Sequence, residues 1–333
     1  MARLSHRVAH AVAVTLTLAG AAGCATRPVR TEPALPAVLW QDPAQRPSVP
    51  LRPPPAPPFQ FVEEDREGAS PKFLVVDRSG ARWQVKLGPE AQTETVAVRL
   101  MTAAGYFADD TYFLPRITVP GIRARLTRGR EFVVGDDIVR HARLEARHET
   151  IRRGDTWEWS RNPFVGTTEL DALRALMVVI NNYDARTANN RIVDVSAGGR
   201  TQRRYIVADV GASFGEVGGM GGRRSKNDPE GYRTSPFIAA VTPTHVEFAY
   251  RTRPRGWATT LYVFNPFYVA GEMKKERDLA RVPRPAARWL AARVSAIPPA
   301  QIRGVFEEAG YSGAEAKSLI TTLTGRIQQL SRM

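Results

Sequence analysis

The chain has 333 residues and 43% apolar content, enough to bury the core of one large or two small domains. Its formal charge is +14, with 41 Arg and six Lys scattered along the whole length, which excludes the gathered basic stripe that specific nucleic-acid binding needs. A single Cys excludes a disulfide framework, while attraction of the net charge to an anionic membrane surface or an acidic partner stays open.

Residues 1–23 read as an export signal. Met1–Arg7 is basic through Arg3 and Arg7 and holds no acid, and Val8–Ala22 is apolar or small apart from His10 and two Thr. That run is shorter than the roughly 20 residues a membrane-spanning helix needs, and it suits the apolar core of a signal peptide. Small residues, Ala21-Ala22-Gly23, then lead directly to Cys24. The pattern resembles the bacterial lipobox, with Ala21 where Leu is commonest. The resemblance implies a diacylglycerol on Cys24 and a membrane anchor, and Ala25 in place of Asp implies the periplasmic side of an outer membrane. The alternative is an ordinary secreted protein cut nearby, with Cys24 incidental. Residues 24–58 are dense in Pro and end in Pro53-Pro54-Pro55-Ala56-Pro57-Pro58, a run expected to form an extended, semi-rigid tether.

From Phe59 onward an α+β fold is expected, with a β-rich lobe over 59–165 and a helical lobe over 166–333. Phe59–Glu63, Lys72–Asp77 and Arg82–Leu87 read as three antiparallel strands. The last two are joined by the turn Asp77-Arg78-Ser79-Gly80. A polar loop with Gly68 and Ser70 joins the first two. Pro89–Ala104 reads as a helix, with Pro in its first turn, Val96 and Leu100 at helical spacing, and Gly105 as its stop. Tyr112–Val119 is a further strand, and Ile122–Trp159 holds several strands with weak boundaries. Thr167 or Thr168 can cap an apolar helix over Glu169–Ile180. Asn181–Asn190 is a polar loop, and Ile192–Val195 with Tyr205–Ala208 forms a hairpin. Gly211–Gly222 is loop. The last fifty residues are helical, with Ser312 and Glu315 as a capping box.

Three polar clusters each follow an apolar element that would hold them rigidly. Lys86 ends a strand, Asp184 and Asn189 follow the apolar helix, and Asp209 leaves the hairpin in Asp209-Val210-Gly211. The order Lys86, Glu94, Asp184, four residues, Asn189, then Asp-x-Gly resembles the protein-kinase-like fold, over about Phe59–Gly215. It is more similar to atypical branches (HipA-type, phosphatidylinositol-kinase-like and CotH kinases) than to eukaryotic protein kinases. The resemblance implies a small antiparallel β lobe with one helix, followed by a mainly helical large lobe, and a site for Mg²⁺ and ATP. Lys86, oriented by Glu94, would neutralise the nucleotide phosphates, with Gly68 and Ser70 in the phosphate loop. Asn189 and Asp209 would bind Mg²⁺. Asp184 would take the proton of an acceptor hydroxyl on an unknown protein or small molecule, with Arg186 offsetting charge on the transferred group. The sequence departs from the family in three ways. It has no Gly-x-Gly-x-x-Gly, Asn182-Tyr183 stands where His-Arg usually precedes the Asp, and the gap from Asn189 to Asp209 is long.

Each residue also has a plain reading. Lys86 would be an edge-strand charge, Glu94 a solvated helix residue, the Asn residues turn formers, Asp209 a turn cap and Arg186 a surface cation. Trp157, Trp159 and Phe164 read as packing aromatics, and His141, Glu145 and His148 as polar residues of a surface element, since their spacing is not that of a zinc helix. Two rival functions remain: a catalytically degenerate kinase-fold binding module, and a non-enzymatic envelope lipoprotein.

Overall fold

A computed structural model of the chain describes residues 35–45, 53–68, 70–147, 152–197, 200–217, 224–253 and 266–333. The export signal and Cys24 lie outside the described residues. Elements follow in chain order as β1 (Ala37–Val38), β2 (Gln60–Asp65), β3 (Lys72–Val76), β4 (Arg82–Lys86), α1 (Glu90–Ala103) and β5 (Thr111–Thr118). Next come α2 (Ile122–Arg125), β6 (Val133–Val134), β7 (Ile138–Arg147), β8 (Arg152–Arg153), α3 (Thr168–Val179), β9 (Asn190–Ala197) and β10 (Arg200–Val207). The remainder is β11 (Glu216–Val217), β12 (Arg224–Ser225), α4 (Pro229–Thr234), β13 (Ile238–Val241), β14 (His245–Phe248), α5 (Pro266–Ala280), β15 (Arg281–Pro283), α6 (Arg284–Ser295), α7 (Pro299–Glu308) and α8 (Gly313–Ser331).

The small lobe is one antiparallel sheet in the order β2-β3-β4-β7-β5, with β6 on β7. Strand alternation decides its two faces. Phe73, Val75, Trp83, Val85, Ala142 and Leu144 form one buried core on the first face. Lys86, opposite Arg143 in the register, falls on the second. The β3–β4 turn is held by buried Asp77. Its Oδ1 accepts from the Ser79 and Ala81 N–H groups, and its Oδ2 accepts from Trp83 Nε1 at 2.9 Å. β4 lies between β3 and β7, so Lys86 is not an edge-strand charge.

Helix α1 links the lobes. Its residues Val96, Ala97, Leu100 and Met101 share the main core with Leu170, Leu173 and Leu176 of α3. In the large lobe Thr167 caps α3, its hydroxyl accepting the Leu170 N–H at 3.3 Å. Arg326 of α8 is buried and donates to Val178 O and Val179 O at 3.3 and 3.2 Å, satisfying carbonyls at the C-terminus of α3. That tie fixes where the following loop starts. Trp157 and Trp159 pack edge to face at 4.9 Å, and Phe164 packs on Tyr205, as packing aromatics should.

Several expectations need correction. The Pro-rich stretch is not tether throughout: β1 pairs in parallel with Arg203–Arg204 of β10, and Leu39 is buried. Trp40 Nε1 donates to Ala104 O at 2.8 Å and packs on Trp289, closing the C-terminus of α1. Its indole lies where a side chain at residue 105 would stand, so Gly105 is required for this approach as well as for its positive φ. Ser312 stands at the N-cap of α8 but its side chain makes no capping hydrogen bond. The large lobe is mainly helical, as expected, and besides the hairpin it holds a small antiparallel sheet of β13, β14 and β15. His141 is exposed, whereas Glu145 is buried against Arg143, and His148 lies outside the described residues.

Candidate active site

The loop after α3 is built by its asparagines. Asn181 adopts a left-handed backbone (φ 50°), a turn role that Asn tolerates, and its amide donates to Gly215 O at 2.6 Å. Asn182 is fully buried, and its Oδ1 accepts the Asp184 N–H at 3.0 Å. It therefore holds the Asp184 backbone from the place where kinase-like sequences carry His. A 3₁₀ turn over Thr187–Asn189 then folds Asn189 back. Its Nδ2 donates to Asp184 O at 2.6 Å and to Asp184 Oδ2 at 3.3 Å. Arg186 Nη2 donates to the same Oδ2 at 2.7 Å.

The long gap between Asn189 and Asp209 is a hairpin of two eight-residue strands, β9 and β10. Pairing brings its ends together, so Asn189 O accepts the N–H groups of Ala208 at 2.8 Å and Asp209 at 3.4 Å. Length in the hairpin thus costs nothing at the site. Gly211 beyond it sits close against α1, since a Cβ there would meet Glu90 Cβ at 3.0 Å and Glu90 would have to give way. Thr93 of α1 donates to Gly211 O at 2.8 Å, which clamps this segment to the helix.

Lys86 gathers three carboxylates: Glu90 Oε2 at 2.7 Å, Glu94 Oε2 at 2.9 Å and Asp209 Oδ1 at 3.4 Å. Glu94 is 1% exposed and is not a solvated helix residue. Arg143 approaches its other oxygen at 3.2 Å. Burial works against the Lys86 ammonium, but Glu94, Asp209 and Glu90 raise its pKa above the usual lysine range. Burial pushes Glu94 up to about 7, against the opposing pull of Arg143 and Lys86. Burial also opposes ionised Glu90, yet Lys86 and Lys226 outweigh it and hold that carboxyl at about 2.

The structure therefore joins Lys86, Glu94 and Asp209 directly, and Asp184, Asn189 and Arg186 directly. Asn189 carries its backbone from one set to the other. Ser70 reaches the first set through Glu90, to which its hydroxyl donates at 2.5 Å. Gly68, with φ 69°, gives its carbonyl to Arg128 at 2.8 Å. A cavity of about 570 Å³ opens before Asp184, lined in part by Tyr183, Arg186, Lys226, Glu272 and Lys275.

Sequence reading missed Glu90, Arg143, Lys226 and Lys275. Glu90 lies one turn before Glu94, a spacing that puts both on one helix face, and this signal was available. The other three reach the site only through tertiary packing.

No protein-family model matches the chain, and no curated protein matches it. Among solved structures it is similar to the Helicobacter pylori proinflammatory kinase CtkA, at 9% identity and a TM-score of 0.46 over 84% of this chain and 97% of that one. It is also similar to the Golgi casein kinase with Mn/ADP bound, at 10% identity and a TM-score of 0.34 over 83% of this chain and 73% of that one. These likenesses are distant. The fold is α+β and of the atypical protein-kinase-like kind on the chain's own geometry: a strand Lys paired to a helix Glu, a loop Asp with Asn, and a hairpin that returns Asp-x-Gly to that Lys.

Proposed function

We propose that this cleft binds Mg-ATP and transfers the γ-phosphoryl group to a hydroxyl of an unknown acceptor. One observation carries the reading. A buried Lys86–Glu94 pair meets Asp209, while Asp184 and Asn189 are locked to the same hairpin end. Phosphoryl transfer asks mainly for positioned groups and charge neutralisation, which is what this set offers.

The donor set fits a hard cation. Asp209 supplies a carboxylate, and Asn189 spends its amide nitrogen on Asp184, which leaves its amide oxygen to offer. Asp209 and Asn189 would hold Mg²⁺, which when bound would neutralise charge on the phosphate oxygens. Lys86 would bind phosphate, its direction set by Glu94. Asp184 would accept the acceptor's hydroxyl proton as that oxygen bonds to phosphorus. The β–γ bridging bond breaks and its electron pair leaves with ADP.

The test uses the full chain. Millimolar Mg-ATP should raise its melting temperature, and γ-labelled ATP should be turned over. Asp184→Asn should keep the thermal shift and lose roughly 10²-fold or more of the turnover. Absence of both shift and turnover in the wild type would refute the reading. A shift without any turnover would leave only nucleotide binding.

Export and lipid anchorage at Cys24 are proposed on the signal pattern alone. A Cys24→Ser variant should move from the membrane to the soluble fraction, and a variant that stays membrane-bound refutes the anchor.

A further inference from the structure

We propose that Lys275 of α5 is a positioning residue for this transfer, which rests on the phosphoryl-transfer reading above. It sets Asp184 and supplies the buried positive charge beside the acceptor, a part that the sequence resemblance assigned to Arg186. Lys275 lies 91 positions beyond Asp184 and belongs to no motif that the resemblance covers.

The geometry separates the two oxygens of Asp184. Oδ2 receives Arg186 at 2.7 Å and Asn189 at 3.3 Å. Oδ1 faces Lys275 Nζ at 3.7 Å, beyond direct hydrogen-bond reach. An acceptor hydroxyl entering the cavity therefore meets Oδ1 as the oxygen to take its proton, with the Lys275 ammonium alongside. Lys275 is anchored by Glu272, one turn earlier on α5, at 2.7 Å. Helix α5 is itself fixed: Leu279 is fully buried, Glu276 accepts the Thr252 N–H at 3.0 Å, and Thr252 donates to Glu272 O at 3.3 Å.

Burial decides which cation matters. The Arg186 side chain is 56% exposed, so water and salt screen it, whereas that of Lys275 is 8% exposed. A charge in a water-excluded site stabilises developing negative charge far more than the same charge in water. During transfer the hydroxyl proton passes to Asp184, the new oxygen–phosphorus bond forms, and the electron pair of the broken bridge leaves on ADP. Lys275 keeps its proton throughout and offsets the negative charge gathering between Asp184 and the transferred group.

Hydrolysis of γ-labelled Mg-ATP by the full chain, with water as acceptor, tests this. Because Lys275→Met alone would also take an ion-pair partner from buried Glu272, the decisive variant is Lys275→Met combined with Glu272→Gln. Its Mg-ATP thermal shift and KM for ATP should match the wild type while kcat falls roughly 10–100-fold. Lys275→Arg, which keeps the charge, should retain more turnover than the double variant. A double variant with kcat within about threefold of wild type overturns the inference. So does Lys275→Arg losing as much as the double variant, since shape and not charge would then govern. A wild type with neither shift nor hydrolysis would instead refute phosphoryl transfer itself, and Lys275 with it.

Discussion

Arg143→Met keeps much of the side chain's length on β7 and removes its guanidinium. That group is 2% exposed and lies 3.2 Å from Glu94 Oε1 and 3.3 Å from Glu145 Oε2, with both glutamates buried. Removing one partner of a buried ion pair costs roughly 3–5 kcal/mol, because the remaining charge stays desolvated. Lys86 still meets Glu94 and Arg147 still approaches Glu145 at 3.5 Å, so the lower end, about 3 kcal/mol, is expected. In a folded unit of this size that is a fall in melting temperature of roughly 6–12 °C. The loss should depend on pH in a stated direction. Glu94 already sits at about 7 against an ordinary 4.5, and without Arg143 it rises further. A carboxyl whose folded pKa lies above its unfolded value costs stability above that unfolded value, and the cost fades as pH falls toward it. Urea melts should therefore show the largest deficit at pH 8 and a much smaller one at pH 5. Adding Glu94→Gln to Arg143→Met should recover about half of the pH 8 loss or more. Equal deficits at both pH values, with no recovery in the double variant, would mean that packing and not stranded charge sets the cost.

Glu90 works in the opposite sense, since its folded value of about 2 lies below the ordinary 4.5. Its contribution, about 3 kcal/mol at 1.36 kcal/mol per unit, is present above pH 4.5 and lost as pH falls through 2. Urea midpoints of wild type and Glu90→Gln should thus differ near neutrality and converge across that window, and a constant gap would contradict the assignment. Trp40→Ala should cost about 2–3 kcal/mol in chemical denaturation, below the value for a fully buried Trp, because Trp40 is only partly buried. A neutral result would return residues 35–45 to the tether.

Local features of the chain were legible where one element carries its own signal. Alternation in Lys72–Val76 and Arg82–Lys86, the Asp77–Gly80 turn, the Thr167 cap and the apolar face of α3 depend on neighbours within a few residues, and all are observed. Lys86, Asp184, Asn189 and Asp209 were legible as well, because each leaves a rigid element at a fixed step and the kinase-like order links them. Less was legible where partners are remote. β1 finds its partner across more than 160 residues, and its two residues carry no pattern that names β10.

Whether Glu94 is solvated or buried, and whether Lys86 lies at an edge, is a property of sheet order and of the α1 packing, which no local spacing encodes. The same holds for the counter-charges. Arg143 becomes a partner of Glu94 only because β7 pairs with β4, and Lys275 meets Asp184 only because α5 folds back on the loop. The amino-acid order by itself determined which polar groups leave rigid elements in an order that suits the proposed phosphoryl transfer. Tertiary structure decided which of them are desolvated and how they are paired, and electrostatic strength follows from burial and distance, not from position in the chain.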